Sequence, residues 1–129
     1  MIKNVLIGLS LLWFVGCAAQ SEFDYVCDEL EVIYDISCDN LSAPILVYSE
    51  LVEYNGWYGV YFRGEHYIFI NPNYPNMFLE IERHETVHYV LDHLGIYELI
   101  TKCEGERIAR LISFGEWSAR HKRQYNCSN

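Results

Sequence analysis

The sequence predicts a small two-layer α+β domain, in the order helix, strands, helix, helix. Two observations carry this. Apolar residues recur at helical spacing in three separate stretches, and between the first and second lie short β-branched and aromatic runs parted by turn residues. The 129 residues allow one domain, and 51% apolar with 16% aromatic content excludes a disordered chain. No repeat, low-complexity tract or long linker divides it.

The first helix is expected over about residues 22–37, where Phe23, Val26, Cys27, Leu30, Ile33 and Tyr34 share a face behind a capping box of Ser21 and Asp24. Asp39-Asn40 and Ser42-Ala43-Pro44 end it. Ile45–Tyr48 reads as a short strand, and Tyr58–Phe62 with Tyr67–Ile70 flank Arg63-Gly64-Glu65 as a hairpin, giving a short antiparallel sheet. Asn71-Pro72-Asn73-Tyr74-Pro75 breaks the sheet. A second helix is expected over 76–94, with Ile81, His84, Val87, His88 and Leu91 on one face and Gly95 as its stop. A third runs from about Tyr97 to Trp117, with Ile100, Ile108, Leu111 and Ile112 apolar, and the tail Arg120-His121-Lys122-Arg123 is basic and solvated.

The chain opens with an address. Lys3 is the only charge before an apolar run from Val5 to Val15, too short to span a bilayer, which needs about 20 apolar residues, but suited to a signal peptide. The run ends in Phe14-Val15-Gly16-Cys17, which resembles a bacterial lipobox with Phe14 in place of the usual Leu. That resemblance implies a signal peptide over 1–16, a lipidated Cys17 and a single domain over 17–129 held at the cell envelope, at the outer membrane in a Gram-negative host. Plain secretion is the alternative. Four cysteines remain, and in an oxidising compartment they read as two disulfides, with the local pairing Cys27–Cys38 and Cys103–Cys127 preferred. Nine basic against eighteen acidic residues, a net charge of -9, argue against nucleic-acid binding and against an electrostatic grip on anionic lipid. A monomer is expected.

Residues 84–88 read His-Glu-Thr-Val-His, an H-E-x-x-H motif. On a helix, positions i and i+4 share a face with Cβ atoms about 5–6 Å apart, so His84 and His88 can converge on one Zn²⁺ at about 2.0–2.1 Å each. Glu85 points to the side, where it can take a proton from a water whose pKa zinc lowers from 15.7 to about 7. With this motif the chain resembles the zincin metallopeptidases, in particular small gluzincin-like domains, over roughly residues 45–115. The resemblance implies His84 and His88 as zinc ligands, Glu85 as general base, and a sheet edge beside the metal for an extended peptide, formed by Tyr67–Ile70 or its hairpin partner.

Such a site needs a third protein ligand. Leu91 and Leu94 stand where the long metzincin motif requires Gly and His, so that subclass is excluded. His93 lies about 140° around the helix from His88 and reads as a surface histidine. Of the downstream carboxylates Glu98, Glu104, Glu106 and Glu116, Glu98 sits too close to the Gly95 turn. Glu106-Arg107-Ile108-Ala109 is similar to the Glu-x-x-Ala pattern of gluzincin-like ligand helices, with Ala109 small enough to let two helices approach. Helical phase instead favours Glu104, near Ile108 and Leu111. Glu106 is the first choice and Glu104 its rival. Tyr89 reads as packing, and none of the eleven tyrosines stands out as an oxyanion donor. The expected function is a zinc metallohydrolase of the envelope acting on peptide or protein. The alternative is a non-enzymatic lipoprotein binding module whose zinc site is structural or vestigial.

Overall fold

The computed structural model of the chain describes residues 20–113 and Cys127. The expected signal peptide at 1–16, Cys17, Glu116, the helix end at Trp117 and the basic tail at 120–123 lie outside the described residues. Three helices and a three-stranded sheet make up the fold, an α+β domain.

Helix α1 covers residues 20–34. Phe23, Val26, Cys27 and Leu30 are buried, as helical spacing requires, whereas Ile33 falls on the flank of that stripe and is 43% exposed. Ser21 is not the cap expected of it, because residue 20 is already helical and Gln20 Nε2 donates to Asp24 Oδ1 across one turn (2.9 Å). The helix ends at Asp35, whose φ of 52° is a left-handed value that Asp tolerates better than most side chains. The Cys27–Cys38 disulfide then ties the following loop back to α1, with Cα atoms 6.1 Å apart.

Strands β1 (Ile45–Tyr48), β2 (Gly59–Tyr61) and β3 (Tyr67–Ile70) are ordered β1-β3-β2. The hairpin β2–β3 is antiparallel, as expected, but β1 pairs with β3 in parallel, Leu46 opposite Ile68, so the sheet is mixed and not antiparallel throughout. Alternation of residue types fixes which side chains face inward and leaves strand neighbours undetermined. Here Ile68 and Ile70 are fully buried, β3 takes the centre, and the 3₁₀ segment Glu50–Asn55 lies on the connection from β1 to β2. In the hairpin turn, Glu65 N–H donates to the Phe62 carbonyl (3.2 Å) and Gly64 holds φ +84°, a value that favours glycine at the third turn position.

Helix α2 (Phe78–His93) follows a 3₁₀ turn at Pro75–Met77 and stops at Gly95, whose φ is +74°. It packs against β2, β3 and α3 and is buried on more than one face: Glu82, Thr86 and Val90 are covered as well as the expected Ile81, His84, Val87 and Leu91. Helix α3 (Lys102–Ser113) begins later than Tyr97, because Ile96–Glu98 forms a 3₁₀ turn and Thr101 Oγ1 accepts the Glu104 N–H (3.1 Å) as a cap. Thr101-Lys102-Cys103-Glu104 has the S/T-x-x-E form of a helix start. Ile108, Ala109 and Ile112 are buried, while Leu111 is 56% exposed. The Cys103–Cys127 disulfide holds the first turn of α3. No helix among the described residues is long and apolar enough to cross a membrane.

Candidate metal centre

His84 and His88 lie one turn apart on α2, and Glu106 reaches them from α3. Gly105 and Ala109 are buried on α3, small residues where this helix meets its neighbours. The Nε2 atoms of the two histidines are 3.3 Å apart. Glu106 Oε1 is 3.1 Å from His88 Nε2, and Oε2 is 3.4 Å from His84 Nε2. A tetrahedral ion holding nitrogen and oxygen ligands at about 2.0–2.1 Å spaces them about 3.3–3.4 Å apart, so these three groups can hold one metal ion. Among the described residues they are the group with this property. Glu104 does not join it: its carboxylate pairs with Arg107 at 2.6 Å on the exposed side of α3. Glu98 is exposed on the 3₁₀ turn.

The charges within the cluster support one another. Burial pushes the Glu106 carboxyl up, but hydrogen bonds from His84 and His88 and the positive charge of the imidazoles outweigh it, holding the group well below the usual carboxylate range. Burial pushes the His88 imidazole down, and the Glu106 hydrogen bond with the charges of Glu85 and Glu106 reverses this, so the net shift is upward. Two imidazoles are thus packed around a partly buried carboxylate, an arrangement in which a cation can replace protons.

A tyrosine completes the surroundings. The Tyr97 hydroxyl is hydrogen-bonded to His88 Nδ1, and its ring stacks on the imidazole at 6.0 Å with planes 13° apart. A hydroxyl that accepts the Nδ1 proton leaves the Nε2 lone pair for a metal. Burial, then the charges of Glu106, Glu85 and Asp92, push the Tyr97 hydroxyl upward, so it stays protonated at neutral pH. Gly105 makes room for it, since a Cβ there would lie 2.6 Å from Tyr97 Cε1. The glycine beside Glu106 was the available sequence signal for such a close approach, and it does not say which residue approaches.

Glu85 faces the sheet edge. At Gly59 a Cβ would meet Ile81 Cγ2 at 2.5 Å and Glu85 Cγ at 3.2 Å, so β2 lies against α2 at the level of Glu85. The edge beside the cluster is therefore β2, and β3, the central strand, is not available as that edge. Glu85 lines two cavities that share Trp57 and Gly59: one of about 620 Å³ reaching His88, Tyr97 and Glu106, and one of about 280 Å³ reaching His84, Met77 and Ile81.

The far end of α2 secures the hairpin. Asp92 accepts hydrogen bonds from the Tyr61 hydroxyl (2.5 Å), the Gly64 N–H (2.7 Å) and Arg63 Nε (3.3 Å). Burial pushes this carboxyl up, but the bonds from Tyr61, Gly64 and Arg63 prevail and hold it below its ordinary value. His93 is not a ligand of the cluster. Nor is it a free surface residue: its Nε2 contacts the Glu65 carbonyl (2.7 Å) and its ring packs on Tyr89 at 4.4 Å. Tyr89 is packing, as expected, with its hydroxyl donated to the Ser42 carbonyl (2.7 Å).

No protein-family model, no curated protein and no solved structure matches this chain.

Proposed function

We propose that the protein is a zinc-dependent hydrolase of peptide bonds, held at the cell envelope through Cys17. The observation that carries this reading is the convergence of His84 Nε2, His88 Nε2 and the Glu106 carboxylate, with the Glu85 side chain in the adjoining cavity. Two imidazoles and one carboxylate are a donor set of catalytic zinc sites, which use three protein ligands and leave one position for water or substrate. The described cysteines are all in disulfides, so no thiolate competes for the metal. The envelope location rests on the sequence Phe14-Val15-Gly16-Cys17 alone.

His84, His88 and Glu106 would hold the ion. Zinc, when bound, supplies Lewis acidity that polarises a carbonyl and makes water nucleophilic near neutral pH. Glu85 serves as the base that accepts the proton of the attacking water and returns it to the leaving amine. Its carboxylate suits this role because it is not a member of the His84–His88–Glu106 group and lies in the cavity a substrate would enter. Edge strand β2 offers backbone groups to an extended peptide.

The test pairs metal analysis with hydrolysis of a denatured protein mixture. The wild-type chain is expected to carry one zinc and to cleave. Glu85→Gln is expected to keep its fold and zinc and lose about 10²–10⁴ in rate, the usual contribution of a general base. Equal cleavage by both proteins would remove Glu85 from this role.

A further inference from the structure

We infer that the larger cavity selects peptides carrying an acidic side chain near the bond that is cut. This rests on the hydrolase reading and adds a substrate class to it. The cavity of about 620 Å³ has Glu85, His88 and Glu106 on its wall and two cations, Arg63 and Lys102, in its lining. Cations are scarce here, nine against eighteen acidic residues in the whole chain. Elsewhere in the described residues, Arg83 is tied to Glu22 and Arg107 to Glu104.

Arg63 is held ready for such a role. Its Nε donates to Asp92 Oδ1 (3.3 Å) and its guanidinium carbon lies 5.6 Å from the centre of the Tyr97 ring, yet the side chain stays 69% exposed. Two contacts restrain the guanidinium while most of the side chain remains accessible, which lowers the entropy lost when a carboxylate docks. Lys102, the first residue of α3, adds an exposed ammonium group to the same cavity. Both cations lie in the lining of the cavity that reaches Glu85, His88 and Glu106, so an anionic group of a bound peptide has partners at Arg63 and Lys102. A neutral or basic peptide finds no such partner.

The experiment has two arms on zinc-loaded full-length protein. Cleavage (kcat/KM) is measured on matched peptides with Glu, Gln or Lys at each position around one scissile bond. Binding of dipeptide hydroxamates carrying Glu, Gln or Lys is measured in parallel by calorimetry, which needs no turnover. Glu is expected to exceed Gln by about tenfold at one position, the joint effect of two partly exposed ion pairs. Lys102→Glu and Arg63→Gln are each expected to reduce that preference, with circular dichroism reporting whether the fold survives the loss of the Arg63–Asp92 pair. Cleavage with no charge preference, or a preference indifferent to both variants, overturns the inference and leaves the hydrolase reading standing. Charge-selective binding without any cleavage upholds the cavity's preference for a carboxylate and overturns both the hydrolase reading and the assignment of that preference to a substrate. Absence of both overturns both.

Discussion

Tyr97 has more influence on the candidate centre than its position outside the H-E-x-x-H motif suggests. Its hydroxyl fixes the ring of His88 through Nδ1, and Gly105 leaves the space in which it does so. Tyr97→Phe keeps the stacked ring and removes only the hydrogen bond, so the fold should be retained while zinc affinity falls about 10–100-fold, as for other outer partners of metal ligands. Competition with a chelating dye reads this directly, and an unchanged affinity would show that His88 needs no orienting group. The histidine pair was legible because the motif is local, and Glu106 because resemblance and the small Ala109 pointed to it. Tyr97 was not legible. One tyrosine among eleven carries no local signal, and its role depends on a 3₁₀ turn bringing it beneath α3.

Among the elements, the hairpin and the two packed helices set where the site can be. Asp92 sits in the last turn of α2, where a negative charge opposes the helix dipole, and its compensation is the set of bonds to Tyr61, Arg63 and Gly64 at the hairpin. Its folded-state pKa lies below the unfolded value, so the stabilisation is fully present above the unfolded value, about pH 4, and is lost below it as pH falls through the lower folded value. Asp92→Asn should therefore cost about 1.5–3 kcal/mol at neutral pH and flatten the acid limb of the stability curve, measured by urea unfolding from pH 3 to 7. A parallel acid limb would mean that Asp92 contributes no charge-dependent stability. Helix α3 is secured differently, by the Cys103–Cys127 bridge one turn before Glu106. Replacing both cysteines by serine should lower stability by about 2–4 kcal/mol and weaken zinc binding while far-ultraviolet dichroism is kept. Full affinity without the bridge would show that packing alone positions Glu106. At this scale the sequence revealed the helices and the hairpin, since each is a local pattern. The parallel pairing of β1 with β3 was hidden, because it depends on two segments some twenty residues apart whose alternation is the same for either neighbour.

For the whole molecule, a small acidic domain places a cluster of two imidazoles and a carboxylate against the cleft between α2, α3 and the β2 edge. Its disulfide pairing follows the shortest connections, as spacing suggested, and its expected leader lies outside the described residues. Whether this cluster is a metal centre is the claim on which the hydrolase reading and the substrate inference both depend. X-ray absorption at the zinc edge, combined with metal analysis of the purified chain, addresses it directly. The expected result is one zinc per chain with a shell of two imidazole nitrogens and carboxylate oxygen at about 2.0–2.1 Å, lost in His84→Ala, His88→Ala and Glu106→Ala. A folded protein that takes up no zinc, or zinc bound through sulfur or through residues other than these three, would contradict it.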